Sequence, residues 1–124
     1  MLTSSAKAKG KLLTNHVVKR IREVFSLPES DVKSPPGSVG GEDIWLSETA
    51  RKAFPFSIEG KNVKTLSLVA ALEQANANSP GYTSCVCHKP HGKGLQKTII
   101  SFYLDDFLKL WKEVNNIEQE DKNK

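Results

Sequence analysis

An α/β domain with a mixed sheet flanked by helices is the fold class this sequence predicts, and three observations lead to it. Apolar residues recur at helical spacing in three well-separated segments. Runs of β-forming residues, bounded by Pro and Gly, lie between them. The resulting order is helix, strands, helix, strands, helix. The 124 residues suit one domain, long enough to bury a core without staples. Hydrophobic residues at 38% and charged residues at 26% place it among soluble globular chains.

Residues 5–25 are predicted to form the first helix, because Leu13, Val17, Ile21, Val24 and Phe25 make one apolar stripe and Ser4 or Ser5 can cap it. Residues 26–42 are punctuated by Pro35, Pro36, Gly37, Gly40 and Gly41, with room for a short edge strand at 31–34. A strand is expected at 43–46. Ser47 then caps a short helix over 48–54, which Pro55 ends. Residues 56–61 alternate apolar and polar and read as a strand. Leu68, Val69, Leu72 and Ala75 place a second helix at 66–77. Pro80-Gly81 marks a turn, 83–88 a strand, and Pro90-His91-Gly92-Lys93-Gly94 the turn of a hairpin with a strand at 95–102. Asp105 or Asp106 opens a last helix bearing Phe107, Leu108, Leu110, Trp111 and Val114, followed by a polar tail. Trp45 and Trp111 read as core residues.

Charge is distributed unevenly along the chain. Residues 1–25 carry six Lys/Arg against one Glu, and residues 61–97 carry five Lys against one Glu. Residues 26–60 carry six acids against three bases. Basic segments attract a polyanion, and an acidic segment between them can hold a metal; ordinary solubilising charge is the alternative. No apolar run approaches the roughly 20 residues a membrane helix needs. Residues 1–11 have no apolar signal core, so secretion and membrane insertion are not expected. Cys85 and Cys87 are expected on opposite faces of their strand and not to form a disulfide, which suits a reducing, cytoplasmic setting. A zinc site from Cys85, Cys87, His88 and His91 is not expected either, since a finger needs a loop between its ligand pairs.

The residues that carry chemistry lie in Gly41-Glu42-Asp43-Ile44-Trp45-Leu46 and Phe56-Ser57-Ile58-Glu59-Gly60-Lys61. An acid opens one predicted strand, and an acid-x-lysine ends the next. Side chains two apart on a strand share a face, so Glu59 and Lys61 point together and Gly60 points away. Asp43 on a neighbouring strand completes an acidic pair. Two carboxylates, a backbone carbonyl and solvent suit Mg²⁺, and Lys61 can orient water or steady charge developing on phosphate. The tripeptide alone is unspecific: Asp31-Val32-Lys33 and Glu120-Asp121-Lys122 share it, the first in a Pro-rich loop and the second in the tail. A solvated strand face is the alternative reading, but Glu and Lys are both disfavoured in strands.

These segments resemble the PD-(D/E)XK nuclease superfamily, in particular its small phage-encoded, resolvase-like and homing-type endonucleases. Lys9-Gly10, Ala71-Leu72-Glu73-Gln74-Ala75 and Cys87-His88-Lys89 add to a likeness that spans most of residues 7–110. The resemblance implies a restriction-endonuclease-like domain over residues 1–114, with a central mixed sheet of four to five strands and a tail at 115–124. It implies hydrolysis of DNA phosphodiesters with Mg²⁺ or Mn²⁺ inside a cell, and the likeness to phage-encoded members implies a phage's bacterial host. Asp43, Glu59 and Lys61 would be catalytic, and Gln74 would reach them from the second helix unless it is simply exposed. The metal would sit at Asp43, Glu59 and Gly60. Lys7, Lys9, Lys11, Lys89 and Lys93 would contact phosphates, and His88 would contact phosphate or relay a proton.

Two departures stand out. Resolvase-like members carry a glutamate shortly after the Lys-Gly pair. This chain has Lys11-Leu12-Leu13-Thr14-Asn15-His16 there, leaving Thr14 or Asn15 at most to hold a water. Gly60 is also unusual inside a strand. A small domain favours structure-specific or relaxed cutting, though residues 33–42 could read a groove. Cutting both strands implies a homodimer, with the apolar last helix as its contact unless that helix simply packs onto the sheet. The rival function is a non-catalytic DNA-binding module on the same fold, which would gain nothing from acids facing phosphate.

Overall fold

The computed structural model describes residues 4–35 and 43–122. Helix α1 spans Ser4–Phe25 and buries Leu13, Thr14, Val17, Val18 and Ile21 along one side. Val24 and Phe25, counted in the apolar stripe, stay exposed. Ser26 takes a left-handed φ of 53°. The Leu27 N–H then reaches back to the Arg22 carbonyl at 3.0 Å, closing the helix end. Strands β1 (Val32–Lys33) and β2 (Trp45–Leu46) pair antiparallel. Helix α2 (Glu48–Ala53) starts on Ser47, whose hydroxyl accepts the Ala50 N–H at 3.0 Å.

Strand β3 (Phe56–Lys61), helix α3 (Leu68–Asn78) and strand β4 (Thr83–His88) form a parallel crossover unit. Strand β5 (Ile99–Ser101) adds antiparallel to β4. Helix α4 (Leu104–Lys122) follows. The class is thus mixed α/β, with one three-stranded mixed sheet in the order β3-β4-β5 and a separate β1-β2 ladder.

This differs from a single sheet of four to five strands for two physical reasons. β2 is only two residues long and spends its backbone on β1. Residues 95–97, expected to begin a strand, form a 3-10 turn, because the Thr98 N–H and hydroxyl both close on the Leu95 carbonyl. α4 also continues to Lys122, through the stretch read as a tail.

Alternation along β3 and β4 sorts their side chains between two helices. Ile58, Cys85 and Cys87 pack with Leu13, Val17 and Ile21 of α1. Val86 packs with Ala71 and Leu72 of α3, and the Ser57 hydroxyl donates to the Ala75 carbonyl of that helix. Cys85 and Cys87 therefore share a face, which corrects the opposite-face expectation: residues two apart on a strand point the same way. Both are free, buried thiols. The hydrogen bond to Cys87, with burial, pushes the Cys85 thiol far above its usual range. Trp45 and Trp111, expected in the core, are 41% and 62% exposed. Lys33 lies over the Trp45 ring at 5.5 Å. No described helix is long and apolar enough to cross a membrane.

Candidate active site

Among the described residues β3 is an edge strand, and one side of its backbone has no strand partner there. At Gly60 that open N–H donates to Asp43 Oδ2 at 2.9 Å. Asp43 itself lies in a bend just before β2, not within a strand neighbouring β3, as the sequence reading had it. Its side chain nevertheless arrives at β3, because the carboxylate takes an N–H that another strand would otherwise bond.

Glu59 is 2% exposed on the face of β3 that looks towards α3. Its Oε1 lies 3.5 Å from Lys61 Nζ, and its Oε2 accepts from Asn78 Nδ2 at 3.4 Å. Burial and the adjacent Asp43 carboxyl push Glu59 up from 4.5 to about 8, against the opposing pull of Lys61. Asp43, Glu59 and Lys61 thus meet around Gly60. A Cβ at Gly60 would stand 3.4 Å from Thr14 Oγ1 and 3.7 Å from Asp43 Oδ2. Thr14, one of the two helix residues expected at most to hold a water, therefore borders the same point, with its hydroxyl bonded to the Gly10 carbonyl at 2.9 Å. Asn15 is exposed.

The parallel register sets Lys61 beside His88, so the strand ends that bear them lie together. The C-terminal ends of parallel strands are where open α/β sheets receive ligands. His88 shares a face with Glu59 and Lys61, and its Nε2 lies 2.9 Å from Ser101 Oγ on β5. Burial lowers its pKa from the ordinary histidine value, which favours the neutral imidazole. The Lys89 N–H bonds the Lys61 carbonyl at 3.3 Å, extending the pairing one residue further. The Lys89 ammonium turns into its own loop, donating to the Pro90 and Lys93 carbonyls at 3.2 and 2.7 Å. Asn62, next to Lys61, donates to the Lys9 carbonyl at 2.9 Å. That bond brings the first turns of α1, with exposed Lys7, Lys9 and Lys11, to the rim of the site.

Gln74 is exposed. The α3 residue that reaches Glu59 is Asn78, one turn further on, which the sequence reading missed by ending the helix at 77. The i, i+4 spacing from Gln74 was the available signal. Asn62 and Ser101 carried no comparable signal. Residues 36–42, including Gly41, Glu42 and most of the suggested groove-reading loop, lie outside the described residues.

Among the described residues no three His, Cys, Asp or Glu side chains come together. A cation here would draw on the Asp43 and Glu59 carboxylates, a backbone carbonyl and solvent. Those are hard oxygen donors that match Mg²⁺ or Mn²⁺. No protein-family profile, curated protein or solved structure matches this chain.

Proposed function

We propose that this chain is a metal-dependent DNA endonuclease of the PD-(D/E)XK kind, with a restriction-endonuclease-like core, working on branched DNA or with relaxed sequence preference. The observation that carries the reading is the convergence of Asp43, Glu59 and Lys61 at the end of β3. One carboxylate is anchored by a backbone N–H, and the other is buried beside it with a lysine at 3.5 Å. Two carboxylates held together in a poorly solvated place repel each other, and a proton or a cation must offset that. A divalent cation held there supplies Lewis-acid polarisation of a phosphodiester.

The chain's own groups have separable parts in this reading. Asp43 and Glu59 would hold the cation, with Glu59 releasing its proton to solvent as the cation binds. Asn78 fixes the Glu59 carboxylate from α3. Lys61 orients the attacking water and steadies charge on the phosphate oxygens. His88 stands beside it as a hydrogen-bonding group for the same phosphate. Lys7, Lys9, Lys11 and Lys93 supply charge for the DNA backbone, while Lys89 supplies it less directly because its ammonium is engaged in its own loop.

The test is nicking of supercoiled, linear and branched DNA with Mg²⁺, with Mn²⁺ and with chelator. Metal-dependent cleavage is expected. Lys61→Ala is expected to slow it by at least about 100-fold while Mn²⁺ affinity stays near wild type. DNA binding without cleavage of any substrate in either metal would overturn the enzyme reading and leave the non-catalytic module.

A further inference from the structure

α4 has its amphipathic character turned outward. Asp106, Lys109, Leu110 and Glu113 face the domain, where with Pro55 and Tyr82 they line a cleft of about 280 Å³. The exposed side carries Leu104, Phe107, Leu108, Trp111 and Val114, between 44% and 71% exposed. A helix packed only on its own domain would place these groups the other way round. The stripe is nonetheless rooted in the core. Aromatic rings follow one another from Phe56 through Phe102 and Phe107 to Trp111, with centroids 5.3, 6.4 and 6.3 Å apart.

We propose that α4 is a self-association helix, on which a second copy of this chain seats its own α4 about a two-fold axis. Three features select that occupant. The exposed area of the five residues is on the order of 550 Å², the greater part of the roughly 800 Å² each partner gives to a stable interface. Leu104, Phe107, Trp111 and Val114 are spaced three, four and three residues apart, the a/d repeat with which helices pair. The stripe holds no charged residue, so identical faces meet without like-charge contact. An anionic membrane surface fits less well, because the flanks carry Asp105, Asp106 and Glu113 as well as Lys109 and Lys112. This inference stands independently of the nuclease reading.

Sedimentation equilibrium on the full chain, from about 1 µM to about 1 mM, tests it. The wild type is expected at twice 13.7 kDa at the upper end. The double variant Leu108→Glu/Trp111→Glu is expected at 13.7 kDa throughout, with an unchanged far-UV circular dichroism spectrum. Leu104→Lys, at the most exposed position of the stripe, gives a second and milder variant, expected to weaken association at least tenfold. A wild type that stays at 13.7 kDa, whether or not it binds anionic vesicles, overturns the proposal. So does a dimer that survives both variants.

Discussion

Glu59→Gln is a nearly isosteric change that removes an ionisable group from a buried pair, and its effect on stability depends on pH in a way the structure specifies. In the folded chain, burial and the Asp43 carboxyl move Glu59 from 4.5 to about 8. Between those values the folded protein keeps a proton that the unfolded chain has released. The unfolded state then binds fewer protons, so stability falls as pH rises through the window and levels off above about pH 8. At about 1.4 kcal/mol per pH unit, the accumulated loss without divalent cation is on the order of 5 kcal/mol. That is a large share of the total stability of a small domain. Gln does not ionise, so the variant has no such decline. Urea unfolding at about pH 5, 7 and 9 measures it. Similar stabilities are expected at the lowest pH and a clear advantage for the variant at the highest. Adding Mg²⁺ at high pH is expected to restore the wild type and leave the variant unchanged. Parallel pH profiles for the two proteins would refute the reasoning, since Glu59 would then ionise alike in the folded and unfolded chains.

Asp43→Asn keeps an oxygen for the Gly60 N–H but removes a charge, so the chain is expected to fold and to bind Mn²⁺ at least about tenfold more weakly by calorimetry. Wild-type affinity in that variant would exclude Asp43 as a ligand. Gly60→Ala is expected to change stability by no more than about 1 kcal/mol, because the new methyl meets Thr14 Oγ1 at 3.4 Å and Asp43 Oδ2 at 3.7 Å without overlap. A loss above about 2 kcal/mol on urea unfolding would mean that Asp43 or Thr14 approaches the strand more closely than described. Replacing Lys7, Lys9 and Lys11 by Ala is expected to flatten the salt dependence of DNA binding by about one unit of slope per lost phosphate contact, on all sequences alike. An unchanged slope would reduce these lysines to solubilising charge.

Regular periodicity made most of the elements legible. α1, α2, β3, α3 and β4 lie where spacing, the Ser47 cap and the Pro55 stop place them, to within a residue or two. The hairpin was misjudged because Leu95, Gln96 and Lys97 have no strong local preference, and the hydrogen bonds of Thr98 decide between turn and strand. Sheet membership was misjudged because it depends on which backbone meets which, and nothing local in Asp43-Ile44-Trp45-Leu46 states that the ladder goes to β1. Strand spacing did place Glu59 and Lys61 on one face. The partners from other elements, Asn78, Asn62 and Ser101, emerge only from tertiary packing. Trp45 and Trp111 were read as core by type alone, and residue type does not say which face of a strand or helix is covered.

The Asp43–Gly60 contact also bears on how this sheet avoids growing. An open strand edge presents N–H and C=O groups in a row, a template onto which a strand of another molecule can add. Here a bulky, charged side chain sits at one of those N–H groups, on a strand whose neighbouring residues include Phe56 and Ile58. A residue proposed to bind metal therefore doubles as a plug against intermolecular β-pairing. Loss of the side chain in Asp43→Ala would create two separate defects, one in chemistry and one in solubility. Selection acting on either alone would hold the carboxylate in place.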